Sequence, residues 1–383
     1  MTGRIVITGA GVVSAIGSDK DRTLESLIAS RSGIGTLRHL KTSLSDFPSG
    51  EFALSDAELA AELGIGEKIS RTSLLGIKAV REALAQAGIE DASGIPLIGG
   101  TTVGGMDLSE RMFPEYSPKH DCGSSTDDIA RYTGATGFRT TLSTACSSAA
   151  NAIILGANLL RSGLCTRVIA GGSECLTDYH MNGFNSLMIL SRELCSPFDK
   201  DRTGLNLGEG AGFLVLETEE SAIARKARPV AVLSGFGNAC DAYHQTASSP
   251  EGEGAFLAMG KALSMAGLRP SDIGYINAHG TGTPNNDASE SHAIRRVFGE
   301  DVPPVSSTKC FTGHTTSASG SIEAVFCILA LNHSFIPAQT GWKTQDPECI
   351  TPYRGKGTVK LEHVMCNAFG FGGNDTSLII SKY

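Results

Sequence analysis

Three side chains of this 383-residue chain have the types and settings for covalent chemistry at a carbonyl carbon: Cys146, His279 and His314. Cys146 stands in TLSTACSSAANAIILGANLLRSG, where an apolar strand runs into a helix of small residues. The first turn of a helix has unpaired backbone N–H groups and a partial positive charge. That field favours the thiolate, which is the nucleophilic form. The same N–H groups can receive a developing oxyanion. The competing reading is a structural thiol, because free cysteine is among the most buried residue types. His279 lies in YINAHGTGTPNNDASE, and His314 follows Lys309 in SSTKCFTGHTTSASGSIEA, each at a further strand-to-helix junction. A third glycine-rich turn, CNAFGFGGNDTSLII, precedes the last strand. Open α/β sheets place their active sites at such strand ends.

The elements around these residues alternate between strand and helix patterns, which predicts an α/β fold. Strands are expected at Arg4–Thr8, Pro96–Gly99, Arg167–Ala170, Phe213–Glu217, Val230–Ser234, Ile273–Ala278 and Thr376–Ser381. Helices are expected at Lys20–Ala29, Ser70–Ala87, Cys146–Ser162, Gly254–Ala266, Ser289–Phe298 and Ser317–Asn332. In the Cys146 helix, apolar residues recur at three- and four-residue steps, and Arg161 and Gly163 mark its end. The chain also repeats itself. GRIVITGAGVVS near the start echoes ARPVAVLSGFGNAC in the middle, and the Cys146 helix echoes GHTTSASGSIEAVFCILALNHS. Two duplicated βα halves follow, 1–227 with the cysteine and 228–383 with both histidines, packed as one unit. ITGAGVVSAIG is GxGxxS rather than the dinucleotide fingerprint GxGxxG, and reads as a tight strand–turn–helix.

Composition narrows the function. With 41% hydrophobic and 19% charged residues, the chain is that of a soluble globular protein. A formal charge of −8 disfavours nucleic acid as the main partner. The ten cysteines form no CxxC pair, and without a secretory leader they read as reduced thiols, so a cytoplasmic location is expected. No apolar run is long enough to span a bilayer. The nine histidines form no HxxxH or HxH pair, so no metal is expected.

TACSSA, NAHGTGTPNND, SSTK…TGH and NAFGFGG, together with VITGAGVVSAIG and PFDKDRTGLNLGEGAG, resemble in order the motifs of the β-ketoacyl-acyl-carrier-protein synthases, the elongating condensing enzymes. The resemblance implies the thiolase fold, two βα halves in a five-layered α-β-α-β-α arrangement, usually dimeric. It implies decarboxylative Claisen condensation: an acyl group passes to Cys146, which splits the reaction into two easier steps. Malonyl-acyl carrier protein then loses CO2 and supplies the carbon nucleophile, giving a 3-oxoacyl product. His279 and His314, as neutral imidazoles, would donate N–H bonds to the developing negative charge, each worth about 2.7–4 kcal/mol. The resemblance further gives Phe371 a second backbone N–H beside that of Cys146 and, with Phe369, a gate over the acyl pocket. It pairs Lys309 with Glu323, and gives Thr281 and Thr283 the phosphopantetheine arm. No cofactor is implied beyond that arm of the carrier protein.

Lys68 and Arg71 match where the family docks its acidic carrier; Lys78 and Arg81 read as the charged face of an amphipathic helix. Phe369 and Phe371 also fit plain core aromatics, and Glu323 a helix-surface charge. A third partner of histidine, not asparagine, favours elongation over initiation. Cys366 raises a thiolase, but thiolases lack the second histidine motif. A chain-length partner subunit, having lost the cysteine, is the other alternative; the catalytic half of a heterodimer stays open beside a homodimer. Three departures stand out: GFGGND for GFGGTN, Thr203 for aspartate, and a short stretch between Met106 and Ala145, which bears on the dimer contact and the acyl pocket. Primary fatty-acid synthesis and a specialised aryl-polyene or flexirubin-type pathway both remain open.

Overall fold

The computed structural model describes residues 3–115 and 118–383. Within the stretch between Met106 and Ala145, residues 116 and 117 therefore lie outside the described residues. The strands are β1 (Ile5–Ser14), β2 (Leu97–Gly100), β3 (Arg139–Leu142), β4 (Arg167–Glu174), β5 (Gly210–Thr218), β6 (Ala231–Cys240), β7 (Tyr275–Asn277), β8 (Val305–Ser306), β9 (His363–Gly370) and β10 (Asn374–Ser381). Their order across the sheet is β3-β2-β4-β5-β1-β6-β10-β9-β7-β8. Read outward from the centre, each half has its first strand innermost, then its fifth, fourth, second and third. Directions repeat as well. In both halves the first and fifth strands and the fifth and fourth pair antiparallel, while the fourth and second and the second and third pair parallel. The halves join through the short β1–β6 contact, Val6 opposite Val232 and Ile7 opposite Ala231.

Helices complete the layers of a thiolase-like fold. Helix Arg71–Ala87 covers β1 and β5 on one outer face, and helix Glu253–Ala266 covers β6 and β10 on the other. Between the halves lie helices Ser148–Arg161 and Ser319–His333, which touch each other and the strands on either side. Ser319–Leu331 is buried all round, as expected of a helix with no polar face and a central position.

The echoed glycines explain why the halves look alike in sequence. GRIVITGAGVVS is not a strand–turn–helix: β1 runs straight through it, with a bulge between Ile7 and Gly9. A Cβ on Gly11 would meet the carbonyl oxygen of Ala79 at 1.9 Å, and one on Gly237 of β6 would meet that of Ala258 at 2.1 Å. In both halves the covering helix lies so close to its first strand that only hydrogen fits.

Candidate active site

Cys146 sits just before a central helix rather than in it. The preceding strand, β3, is a four-residue, partly exposed edge strand rather than an apolar one. The helix begins at Ser148 with Ser147 as its cap, and Ala145 has a left-handed φ of 51°. That turn is held by Ser147 Oγ and Ser148 Oγ donating to Thr144 O and Ala145 O, at 2.8 and 2.6 Å. Ser147 Oγ is also 2.8 Å from Asn374 Oδ1, which accepts Asn151 Nδ2 at 2.7 Å and Asn238 Nδ2 at 3.0 Å. The departure GFGGND thus supplies Asn374 as the acceptor that ties the two halves together behind the cysteine.

The two histidine loops arrive from the other half. His314 Nε2 lies 3.1 Å from Cys146 Sγ, and its Nδ1 lies 3.0 Å from Ser319 Oγ. A Ser319 hydroxyl donating to Nδ1 would leave the ring proton on Nε2. The His279 and His314 rings meet edge to face with centroids 5.2 Å apart. The sulfur and one nitrogen of each ring all lie within 4.8 Å of one another. Cys146 is 5% exposed and both histidines 2%. Buried His279 Nδ1 has no hydrogen-bond partner among the described residues.

Burial decides the protonation states. It pushes the Cys146 thiol up to about 11; the Lys309 cation and the N–H groups of Phe371 and Cys146 pull the other way, and Glu174 pushes with burial. The helix start therefore does not by itself give a resting thiolate. Burial likewise holds both imidazoles well below their ordinary range, helped for each by the Lys309 cation. The resting site is a neutral thiol against two neutral rings, able to donate N–H bonds to an oxygen that gains charge.

The remaining expected residues are placed as follows. Buried Lys309 donates to Glu323 Oε1 at 2.6 Å, so Glu323 is an interior partner and not a helix-surface charge. Buried Phe369 lies 5.9 Å from His279, ring to ring. Phe371 is partly exposed and stacks on Phe184 at 5.9 Å, and Gly372 and Gly373 after it have φ of 81° and 74°. A Cβ on Gly370 would stand 2.9 Å from Thr144 O and 3.2 Å from Cys146 N, so this approach also needs glycine. Thr281 and Thr283 bring their hydroxyls to 2.9 Å of each other beside His279. Cys366 is buried, its sulfur 3.9 Å from Gly320 O.

Arg71 is a correction. Lys68 is exposed, but Arg71 is 6% exposed and points inward. Its guanidinium donates to Glu209 at 2.7 Å, Asp56 at 2.8 Å and Leu54 O at 3.0 Å. A cation spent on two internal carboxylates has no charge to offer an acidic partner.

Sequence reasoning missed the supports of the His279 loop. Glu290 accepts the backbone N–H groups of His279 at 2.9 Å and Gly280 at 2.8 Å. Asp287 accepts those of Gly282 at 3.2 Å and Phe198 at 2.8 Å. Arg202 donates to Pro284 O at 3.1 Å and Asp346 at 2.6 Å. The available signal was two acids three residues apart opening the helix Pro284–Phe298, directly after a catalytic-type loop.

Comparison with known proteins agrees with this geometry. Residues 2–222 match the model of the beta-ketoacyl synthase N-terminal domain, and 230–343 that of the C-terminal domain. A 3-oxoacyl-[acyl-carrier-protein] synthase 2 from Staphylococcus aureus is 35% identical over 99% of this chain and 98% of its own. The protein of the same name from Vibrio cholerae is 33% identical over 99% of both. Among solved structures, the ishigamide ketosynthase/chain length factor superposes with a TM-score of 0.91 at 31% identity over all of both chains. A ketosynthase in complex with its chain length factor from Xenorhabdus doucetiae gives 0.86 at 34%, over 100% of this chain and 98% of that one. Motif order, fold and full-length likeness converge: this chain belongs to the beta-ketoacyl synthase family, and it is a condensing acyltransferase.

Proposed function

We propose that Cys146 carries the acyl group and that His279 and His314 stabilise the enolate formed when malonyl-acyl carrier protein loses CO2. The observation that carries this reading is that the Cys146 sulfur, already paired with His314, and one nitrogen of each buried imidazole all lie within 4.8 Å of one another. In the first step the Cys146 sulfur attacks the acyl thioester, the carrier's sulfur leaves, and the thiol proton goes to that leaving sulfur. The oxyanion sits at the N–H groups of Cys146 and Phe371, both of which favour negative charge at the sulfur. In the second step the bond from malonyl carbon to carboxylate breaks, and the electron pair moves onto the thioester oxygen facing the two imidazoles. The enolate carbon then attacks the acyl carbon, and Cys146 leaves as a thiolate and takes up a proton. Only the carrier's phosphopantetheine arm enters as a cofactor. Thr281 and Thr283 hold it, and Phe369 and Phe371 close the pocket. Lys309 with Glu323 sets the field.

The halves divide at 227/228, between helix Glu219–Ala224 and β6. The carrier docks near exposed Lys68. The chain acts in fatty-acid or polyketide-type synthesis, as a homodimer or as the catalytic half of a ketosynthase heterodimer; Cys146, His279 and His314 all being present favours the catalytic role over the chain-length role. No helix among the described residues is long and apolar enough to cross a membrane. The test is incubation with a panel of acyl-carrier thioesters followed by mass spectrometry of the Cys146 peptide. An acyl adduct on that peptide is expected; a folded protein with no adduct from any thioester overturns the reading.

A further inference from the structure

The reacting sulfur and the two imidazoles have a second chemistry that the condensation does not use. Among the described residues, Cys146, His279 and His314 are the one group of three histidine, cysteine or carboxylate side chains whose donor atoms all lie within 4.8 Å of one another. Cys146 Sγ is 3.1 Å from His314 Nε2, and all three side chains are buried. One thiolate and two imidazoles make a three-ligand set for zinc, with the fourth position open to water or substrate. Zinc–sulfur bonds of about 2.3 Å and zinc–nitrogen bonds of about 2.0–2.1 Å place tetrahedral donors about 3.3–3.6 Å apart. Side-chain shifts of about 1 Å or less bring the three atoms to that spacing.

The surroundings suit a metal held by a thiolate. A metal-bound histidine gives the proton on its other nitrogen to a nearby acceptor. His314 Nδ1 is 3.0 Å from Ser319 Oγ, which is 3.3 Å from Thr315 Oγ1. With a metal on Nε2 the ring proton moves to Nδ1, Ser319 accepts it, and the Ser319 hydroxyl turns to Thr315. His279 Nδ1 is buried and makes no hydrogen bond among the described residues, so it can keep the proton of that ring and leave the other lone pair to the metal. Charge balances as well. A zinc–thiolate unit carries one net positive charge, and Lys309 is already matched by Glu323 at 2.6 Å. Buried Glu174, which acts electrostatically on Cys146, accepts Thr102 N at 3.0 Å and Thr316 Oγ1 at 3.1 Å. Its carboxylate is the negative charge left to face the metal.

We propose that Cys146, His279 and His314 form a reversible, inhibitory zinc site. Zinc displaces the thiol proton to solvent, holds the sulfur as thiolate and takes one lone pair from each ring; nothing is oxidised or reduced. The consequence for catalysis rests on the reading of Cys146 as the acyl carrier. A zinc-bound sulfur cannot attack a thioester, and rings turned to the metal cannot donate to an enolate, so both half-reactions stop. Once acylated, the sulfur is a thioester and no longer a thiolate ligand. Zinc therefore arrests the resting enzyme and spares the acyl-enzyme.

The experiment uses the full-length protein, reduced, freed of metal and titrated with Co2+, whose thiolate charge-transfer band reports a bound sulfur. The band is expected to saturate at one cobalt per chain, and equimolar Zn2+ should bleach it. Cys146→Ser should lose the band. His279→Ala, which removes a ligand, and Ser319→Ala, which removes the acceptor behind His314, should each weaken binding by about tenfold or more. Zn2+ should also protect the Cys146 peptide from iodoacetamide while the peptide of exposed Cys240 is still labelled. The proposal is overturned by absence of the band in the wild type, by an unchanged band in Cys146→Ser, by unchanged affinity in both alanine variants, or by equal labelling of Cys146 with and without Zn2+. If the variants do not fold, the labelling decides alone. Treatment with an acyl-carrier thioester before the metal separates the two readings. An adduct without a band is expected, and a band on fully acylated protein overturns the sulfur's place as ligand. No adduct beside an intact band removes the reading of Cys146 as acyl carrier and leaves the metal site standing.

Discussion

Lys309→Met removes the one cation that acts on all three reacting groups. Lys309 is 1% exposed, and its ammonium is 2.6 Å from Glu323, itself 3% exposed. Glu323 Oε2 has no partner among the described residues, so the substitution leaves a buried carboxylate with no counter-charge. Breaking one member of a buried ion pair costs about 3–5 kcal/mol. Part of that loss depends on pH. Burial already pushes the Glu323 carboxyl up to about 7 against the pull of Lys309, from an unfolded value of 4.5. An acid with a raised folded pKa destabilises the fold as pH climbs from the unfolded to the folded value, and this loss reverses on acidification. Below pH 7 both proteins share that slope. Above it the wild type is ionised and levels off, while the variant, with a still higher pKa, continues to lose about 1.4 kcal/mol per pH unit. Urea denaturation at pH 6 and pH 8 checks this. The deficit should be larger at pH 8 by about 1.4 kcal/mol. Adding Glu323→Gln should recover most of it. An equal deficit at both pH values, or no recovery in the double variant, refutes the reasoning.

Four further outcomes are expected. Lys68→Glu should weaken carrier binding and leave stability unchanged in a denaturant titration. Arg71→Met, which takes the counter-charge from buried Glu209, should cost about 3–5 kcal/mol in the same titration. Gly11→Ala and Gly237→Ala each force a Cβ to within 1.9 and 2.1 Å of a helix carbonyl, and thermal melts should show each losing about 3 kcal/mol or more. His279 and His314 are held neutral in the fold but take protons in the unfolded chain below about 6.5. Their contribution to stability is therefore full above that pH and is lost as pH falls, while CO2 release from malonyl carrier protein stays flat between pH 8 and pH 6. A fall in that rate centred near pH 6.5 would show that the imidazoles titrate normally.

Much of this was legible because local pattern and tertiary role agree. The Arg71–Ala87, Ser148–Arg161 and Ser319–His333 helices carry their periodicity or apolarity in sequence, and the thiol and both imidazoles stand in loops rich in glycine and small residues. Three strands have no bounds in the sequence reading, which places β3 and β8 only as the lead-ins to the Cys146 and Lys309 loops. β3 and β8 are four and two residues long, and β9, HVMCNAFG, is buried without alternation. Helix Asp178–Ser186 has asparagine and glycine in mid-run and is fixed by its surroundings, so it gave no signal. The inward turn of Arg71 was hidden because its partner Glu209 is 138 residues away. The supports of the His279 loop were hidden for a related reason. Acids that bind backbone N–H groups look, in sequence, like the ordinary acidic first turn of a helix.

The central claim is that one sulfur carries the acyl group while the imidazoles act on the malonyl unit. It is tested most directly by measuring the two half-reactions separately in His279→Ala. The acyl adduct on Cys146 is followed by intact mass, and CO2 release from malonyl carrier protein by isotope. The account predicts that the adduct still forms while CO2 release falls by a factor of about 10²–10³, the loss of one preorganised donor. Undiminished CO2 release, or loss of the adduct with CO2 release intact, would contradict it.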